Sequence, residues 1–299
     1  MPEAAVTIRL AARTPFDGDG LLAFLSARAV PGVEEVIRGG YRRSLALPRA
    51  PGVVDLTPRD DCVQASFILQ DPRDLDAAIV GCRRLLDLDC DPGPIVAQLG
   101  RDAVIGASVR SMPGRRVPGH PNGAELAVRA VLGQQVSVPA AARLAARLVA
   151  DLGTPLARPV GTVTHLFPPA DAIAAIDPVR LPMPQARGRA LVRIATELAQ
   201  RRIVLDDTVD REATGAALLA LPGIGPWTVG YIAMRALRDP DAFTPGDAGV
   251  RHGLARLGYD TSSSEVERLS ERWRPYRAYA VQHLWALAAA GGGRPSCSR

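Results

Sequence analysis

Residues 221–254 read LPGIGPWTVGYIAMRALRDPDAFTPGDAGVRHGL. Leu221-Pro-Gly-Ile-Gly225 is a glycine turn between two stretches of helical periodicity, and a second proline–glycine turn ends on Asp247. Glycine permits positive φ and close backbone approach. Pro226 suits the first position of a helix, where its missing N–H costs little. Free N–H groups in such a turn, beside a helix N-terminus, suit a phosphate oxygen. That is a sequence-independent grip, which positions a protein on DNA without specifying bases. Asp247 starts the next helix, and aspartate is among the best N-caps. Taken alone, the glycine pattern reads as an ordinary helix–turn–helix corner and Asp247 as a cap, because short motifs match often by chance. A cap and a functional carboxylate are not exclusive roles.

Outward from this stretch the pattern is helical from about residue 99. Apolar residues recur at i, i+3 and i+4 over 123–132 and 139–152, and further helices are expected at 169–175, 186–200, 211–219, 227–237, 248–257, 263–272 and 277–290. Segments 110–122 and 154–162 are rich in Pro and Gly and read as loops. Residues 1–98 differ: 6–12, 41–47, 52–56 and 63–69 have strand character, and 21–29 and 75–86 are helical. The expected fold class is therefore α+β, an N-terminal antiparallel α/β domain followed by two all-helical subdomains. The expected divisions are 1–98 for the α+β domain and 122–239 for the helical domain with the hairpin at 221–226. Segments 99–121 and 240–290 form the second helical subdomain, which carries Asp247, and 291–299 is a disordered tail.

Composition narrows the function classes. The chain has 299 residues, 47% hydrophobic and 22% charged, ordinary for a globular protein of two or three small domains. The net charge is +5, and all 36 basic residues are arginine; there is no lysine. An arginine excess is compatible with a polyanionic partner, although GC-rich codon usage accounts for most of it. The four cysteines, Cys62, Cys82, Cys90 and Cys297, form no CxxC pair and have no histidine at ligand spacing, so neither zinc nor an iron–sulfur cluster is expected. No apolar run is long enough to span a membrane, and the first residues lack a signal-peptide pattern, so a soluble cytoplasmic protein is expected.

The whole string LPGIGPWT resembles the helix-hairpin-helix motif of the DNA glycosylase superfamily. VLGQQVSVPAAARLAARL (131–148), SERWRPYRAYAVQHLW (270–285) and FLSARAVPGVEEV (24–36) with YRRSLAL resemble its alkylation-repair branch, DNA-3-methyladenine glycosylase II. The resemblance runs through most of the chain. It implies a monofunctional hydrolase that frees alkylated purines from double-stranded DNA, acting as a monomer in a bacterial, nucleoid-associated setting. By position, Asp247 is the catalytic carboxylate, 22 residues after Gly225. Gly223, Gly225 and Thr228 contact DNA, and Gln135 is the plug that fills the space of the extruded base. Phe24, Trp227, Tyr231 and Trp285 line the base pocket. No cofactor is required; a structural Na+ or K+ is implied at the carbonyls of Leu219, Leu221 and Ile224.

The chemistry is coherent with that assignment. Breaking an N-glycosidic bond builds positive charge on the sugar, which a buried carboxylate stabilises. An electron-rich aromatic face attracts a cationic alkylated purine. Bifunctional relatives attack the sugar with a lysine amine; here Trp227 stands in that slot and the chain has no lysine, so hydrolysis without strand cleavage is expected. Ala248 and Ala286 stand where some relatives carry aromatics, which leaves the lesion range open. The rival expectations are a superfamily member specific for uracil, hypoxanthine or a mismatch, and a non-catalytic DNA-binding module.

Overall fold

The computed structural model describes residues 5–206 and 208–290; the tail 291–299 lies outside the described residues. The N-terminal body opens with β1 (Val6–Ala11) and α1 (Gly18–Ser26), which Asp17 caps by accepting the Gly20 N–H. Strands β2 (Glu34–Ile37), β3 (Gly40–Leu45), β4 (Gly52–Pro58) and β5 (Cys62–Leu69) follow, then α2 (Leu75–Leu86). The five strands form one antiparallel sheet in the order β1-β5-β4-β3-β2. Side chains alternate across a strand, so Leu10, Tyr41, Leu56 and Phe67 share a core with Leu21 and Leu25 of α1 and Leu85 of α2.

The helical part contains α3 (Pro92–Leu99), α4 (Gly106–Ser111), α5 (Gly123–Leu132) and α6 (Val138–Leu152). A two-stranded hairpin follows, β6 (Thr154–Val160) with β7 (Val163–Leu166). Then come α7 (Ala170–Ala174), α8 (Gln185–Ala199), α9 (Arg211–Leu219), α10 (Pro226–Arg235), α11 (Ala248–Arg256), α12 (Ser263–Ser270) and α13 (Arg277–Ala289). Two cores organise these helices. Leu126, Val131, Leu148, Leu191, Ile194 and Ile232 pack together around α5, α8 and α10. Leu99, Ile105, Val250, Leu254, Leu269, Trp273 and Leu284 form the other, so α3 and α4 join the last three helices across the chain. In α13 seven consecutive residues, Ala278–Leu284, are buried; a helix buried on every side lies at the centre of its body.

The structure departs from the expectations in places. Segment 154–162, expected as a loop, lies in β6 and its turn, and Leu156 and Val163 of the hairpin pack on Val53 of β4. β2, α3 and α4 had no counterpart among the expected elements. Cys62, Cys82 and Cys90 are free and buried; Cys297 lies outside the described residues. Among the described residues, no helix is long and apolar enough to cross a membrane.

Candidate active site

The turn between α9 and α10 is built on Gly223. Its φ of +91° lies in the left-handed region, and a Cβ there would come within 2.7 Å of the Ala190 Cβ on α8. Ile224 is buried and anchors the turn in the core below. Gly225 is different: a Cβ there would meet nothing within 4 Å, so packing does not demand glycine. Pro226 then opens α10 at its first turn. The Leu221 carbonyl accepts the Ile224 N–H at 3.0 Å, while those of Leu219 and Ile224 accept no hydrogen bond among the described residues.

Asp247 caps α11, its Oδ1 accepting the Val250 N–H at 2.9 Å. The same carboxylate takes two indole donors: Trp285 Nε1 donates to Oδ1 at 2.7 Å and Trp227 Nε1 to Oδ2 at 2.8 Å. Residues from three helices, α10, α11 and α13, therefore converge on one acid that is only 7% exposed. Gly249 makes the approach possible, since a Cβ there would stand 2.5 Å from Cδ1 of Trp285. The indole donors fix the carboxylate's orientation by charge-assisted hydrogen bonds.

A cavity of about 1190 Å³ opens above this acid, lined by Asp247, Trp227, Tyr231, Trp285, Gln135 and the turn Gly223–Gly225 among others. Trp227 and Tyr231 stack at 5.3 Å between centroids and 16° between planes, and Tyr231 meets Trp285 at 6.3 Å and 40°. Phe24 does not itself line the cavity. It stacks on Trp285 at 6.0 Å, with the Arg28 guanidinium 3.8 Å above its ring.

Gln135 sits in the loop between α5 and α6, exposed on the cavity rim, at φ +55°. A left-handed non-glycine residue costs about 1 kcal/mol or more. Its neighbour Gln134, for which the sequence offered no role, ties that loop to the hairpin: Nε2 donates to the Gly223 carbonyl at 3.0 Å and the Thr228 hydroxyl at 2.9 Å. The Thr228 side chain is therefore buried and occupied, which leaves its backbone N–H, in the first turn of α10, for the DNA contact expected of this residue.

Four residues with no assigned role in the sequence support the site from below. Arg129 on α5 donates to Glu34 at 2.7 Å, to Glu125 at 3.0 Å and to the Arg28 carbonyl at 2.6 Å. Arg43 on β3 donates to Glu125 at 2.9 Å. Burial pushes the Glu125 carboxyl up, but the Arg43 charge and His120 outweigh it and hold the group well below the carboxylate range. Glu34, His120 and Glu125 converge closely enough to hold a metal ion; two guanidiniums already neutralise both carboxylates, so the group is a buried ion network. It fastens the segment just after α1, which carries Arg28 and holds α1 with Phe24 in place, to α5. The signal in the sequence was weak, because the partners are scattered between residues 34 and 129.

Residues 7–122 match the family described as the AlkA N-terminal domain. The chain is 48% identical over 94% of its length to a Mycobacterium tuberculosis protein named probable bifunctional transcriptional activator/DNA repair enzyme AlkA, and covers 56% of that relative. It is 34% identical to the Escherichia coli DNA-3-methyladenine glycosylase 2, over 91% of this chain and 94% of that one. The chain spans about half the length of the mycobacterial relatives it matches and nearly all of the E. coli protein. Among solved structures, the Archaeoglobus fulgidus 3-methyladenine DNA-glycosylase superposes with a TM-score of 0.81 over 94% of this chain and 98% of that one, at 20% identity, which shows the shared fold. On the strength of that near-full-length match to the E. coli enzyme, the chain belongs to the DNA-3-methyladenine glycosylase 2 family.

Proposed function

We propose that this protein is a monofunctional DNA glycosylase that hydrolyses the N-glycosidic bond of alkylated purines, of the 3-methyladenine and 7-methylguanine type, in duplex DNA. That is the first step of base excision repair. The observation that carries the proposal is Asp247, a buried acid on an aromatic cavity, oriented by two indole N–H groups. As the glycosidic bond stretches, positive charge grows on the deoxyribose. The carboxylate stabilises that charge and orients or deprotonates the attacking water.

The target base must first leave the duplex. Gln135 on the rim fills the vacated space, and its amide can hydrogen-bond the orphaned partner base. The N–H groups of Gly223, Gly225 and Thr228 hold a phosphate of the bent strand, aided by the positive end of α10. The base enters between the rings of Trp227, Tyr231 and Trp285. An N3- or N7-alkylated purine is already a good leaving group, so one acid and an aromatic cleft are a sufficient set. With no lysine in the chain, no side-chain amine can form a Schiff base with the sugar.

No cofactor enters the reaction. The carbonyls of Leu219, Leu221 and Ile224 retain lone pairs, a donor set that fits a monovalent Na+ or K+ bracing the hairpin against a phosphate. The protein acts as a monomer, in the cytoplasm and on the nucleoid. Chromatography of bases released from methylated duplex DNA, with borohydride present, tests this reading. The expected result is free methylpurines, an unbroken abasic strand and no covalent adduct. A trapped enzyme–DNA adduct, or no release of methylpurines from that DNA, overturns it.

A further inference from the structure

The loop that carries Gln135 is tied to the hairpin by the Gln134 side chain, and the reaction above gives that tie no part. Residues 133–137 link the end of α5 to the start of α6. From this loop Gln134 reaches across to the turn between α9 and α10. Its Nε2 donates to the Gly223 carbonyl at 3.0 Å and to the Thr228 hydroxyl at 2.9 Å, so both amide protons are spent. Both acceptors sit in packed backbone. A Cβ on Gly223 would meet Ala190 of α8 at 2.7 Å, and Thr228 is buried in the first turn of α10. The Gln135 amide, one residue along, has no hydrogen-bond partner among the described residues.

Gln135 stands at φ +55° on the exposed rim. A left-handed non-glycine residue persists only where its surroundings over-determine it. On the α6 side the loop is held by Ser137, whose Oγ accepts the Ala140 N–H over a long 3.4 Å. On the other side the two Gln134 bonds fix the position and the rotation of a planar amide, and with it the residue that precedes Gln135. The direction of the Gln135 side chain is therefore set from the hairpin as well as from its own helices.

We infer that Gln134 is the positioning residue for the plug: it locks the loop to the hairpin and so holds Gln135 ready for insertion, in fixed register with the amides that grip the phosphate. The inference rests on the glycosylase reading and on Gln135 as the residue that fills the vacated space. Gln134 acts on the base only through Gln135. Grip and plug then enter the DNA as one rigid unit, and the cost of aiming the plug is met in the free protein rather than during extrusion.

The test compares one lesion in two settings. 7-Methylguanine is placed opposite cytosine in a duplex, and again as a one-nucleotide bulge, which has no partner base and leaves no gap to fill. Single-turnover excision is measured for the wild-type protein, Gln134→Met and Thr228→Val. The methionine keeps the length of the side chain without its donors, and the valine removes one acceptor at nearly constant shape. Melting temperature identifies a variant that fails to fold, in which case the other carries the test. The duplex rate is expected to fall about tenfold in Gln134→Met, as losing these hydrogen bonds predicts, while the bulge rate stays within about twofold. Gln135→Gly lowers the same duplex-to-bulge ratio, and adding it to Gln134→Met lowers the ratio little further, because the two act as one unit. A merely structural tie would slow both substrates alike. A ratio that changes less than about threefold in every folded variant, or in Gln135→Gly itself, overturns the inference. Release of methylpurines from methylated DNA by the wild type, run alongside, separates that outcome from failure of the glycosylase reading.

Discussion

At Asp247 the two oxygens have different duties. Oδ1 accepts from Val250 N–H and Trp285 Nε1, and Oδ2 from Trp227 Nε1. An asparagine can keep the Oδ1 bonds, but its NH2 group then faces the Trp227 N–H, donor against donor. Asp247→Asn is expected to leave α11 capped and to cost about 1–2 kcal/mol, read as a modest fall in melting temperature. Gln135 behaves in the opposite way. Glycine relieves its left-handed strain but loosens the unfolded chain by a similar amount. Gln135→Gly should therefore melt within about 1 kcal/mol of the wild type, while 2-aminopurine fluorescence beside a lesion shows less base extrusion and excision slows. Asp247 and Gln135 stood out in the sequence because each lies in a short motif. Arg28 and Gln134 did not, since what a polar side chain touches depends on which distant loop the fold brings to it.

Among the elements, the hairpin separates packing from contact with DNA. Gly223→Ala places a methyl group at φ +91° and against Ala190, and should destabilise by about 1–3 kcal/mol. Gly225→Ala meets open space, so its stability should change by about 0.5 kcal/mol or less. Titration of a fluorescent duplex should nonetheless show weaker binding for Gly225→Ala, because the new methyl group stands where a phosphate approaches. Equal affinity to wild type would remove Gly225 from the phosphate grip. Most helices and the longer strands were legible because apolar periods of 3.6 and 2 persist over a full element. β2 has four residues, too few for a period to show. β6 carries Pro155 and Pro159, which mark a loop in isolation; here the ladder shifts register between Pro155 and Val160 and tolerates them.

Across the whole molecule, buried ionisable groups join the bodies and set the response to pH. Burial pushes the His120 imidazole down to about 4 and that of His283 to about 3, so both stay neutral in the fold where the unfolded chain protonates them. Burial pushes the Asp87 carboxyl, which accepts from Tyr279 of α13 at 2.9 Å, up to about 6. Each depressed histidine contributes stability as pH rises through the window between its folded and unfolded values. The raised aspartate does the reverse, losing stability as pH rises from its unfolded value toward 6. Near pH 5 the unfolded chain thus holds at least one more proton than the fold, since Glu34 and Glu125, held low, add to the histidines' share, and stability should rise by about 1.4 kcal/mol per pH unit or more. Urea titrations at pH 4.5, 5.0 and 5.5 check this, and His120→Gln should make the slope shallower by about 1 kcal/mol per pH unit. The order of an N-terminal antiparallel sheet and a largely helical remainder was visible in the hydrophobic period. The ion network of Arg43, Glu34, Arg129 and Glu125 that welds β2 and β3 to α5 was not, because ion pairs between distant positions leave no local pattern.

The central claim is that the acid at the cavity steadies the cationic sugar, and it is tested most directly by single-turnover release of 7-methylguanine from a defined duplex, wild type against Asp247→Asn, with duplex affinity measured on the same preparations. The account predicts a fall in the excision rate of about a hundredfold or more, with affinity for the duplex little changed. A variant that binds equally well and excises within tenfold of the wild type would contradict it, leaving Asp247 as a helix cap and an anchor for two tryptophans.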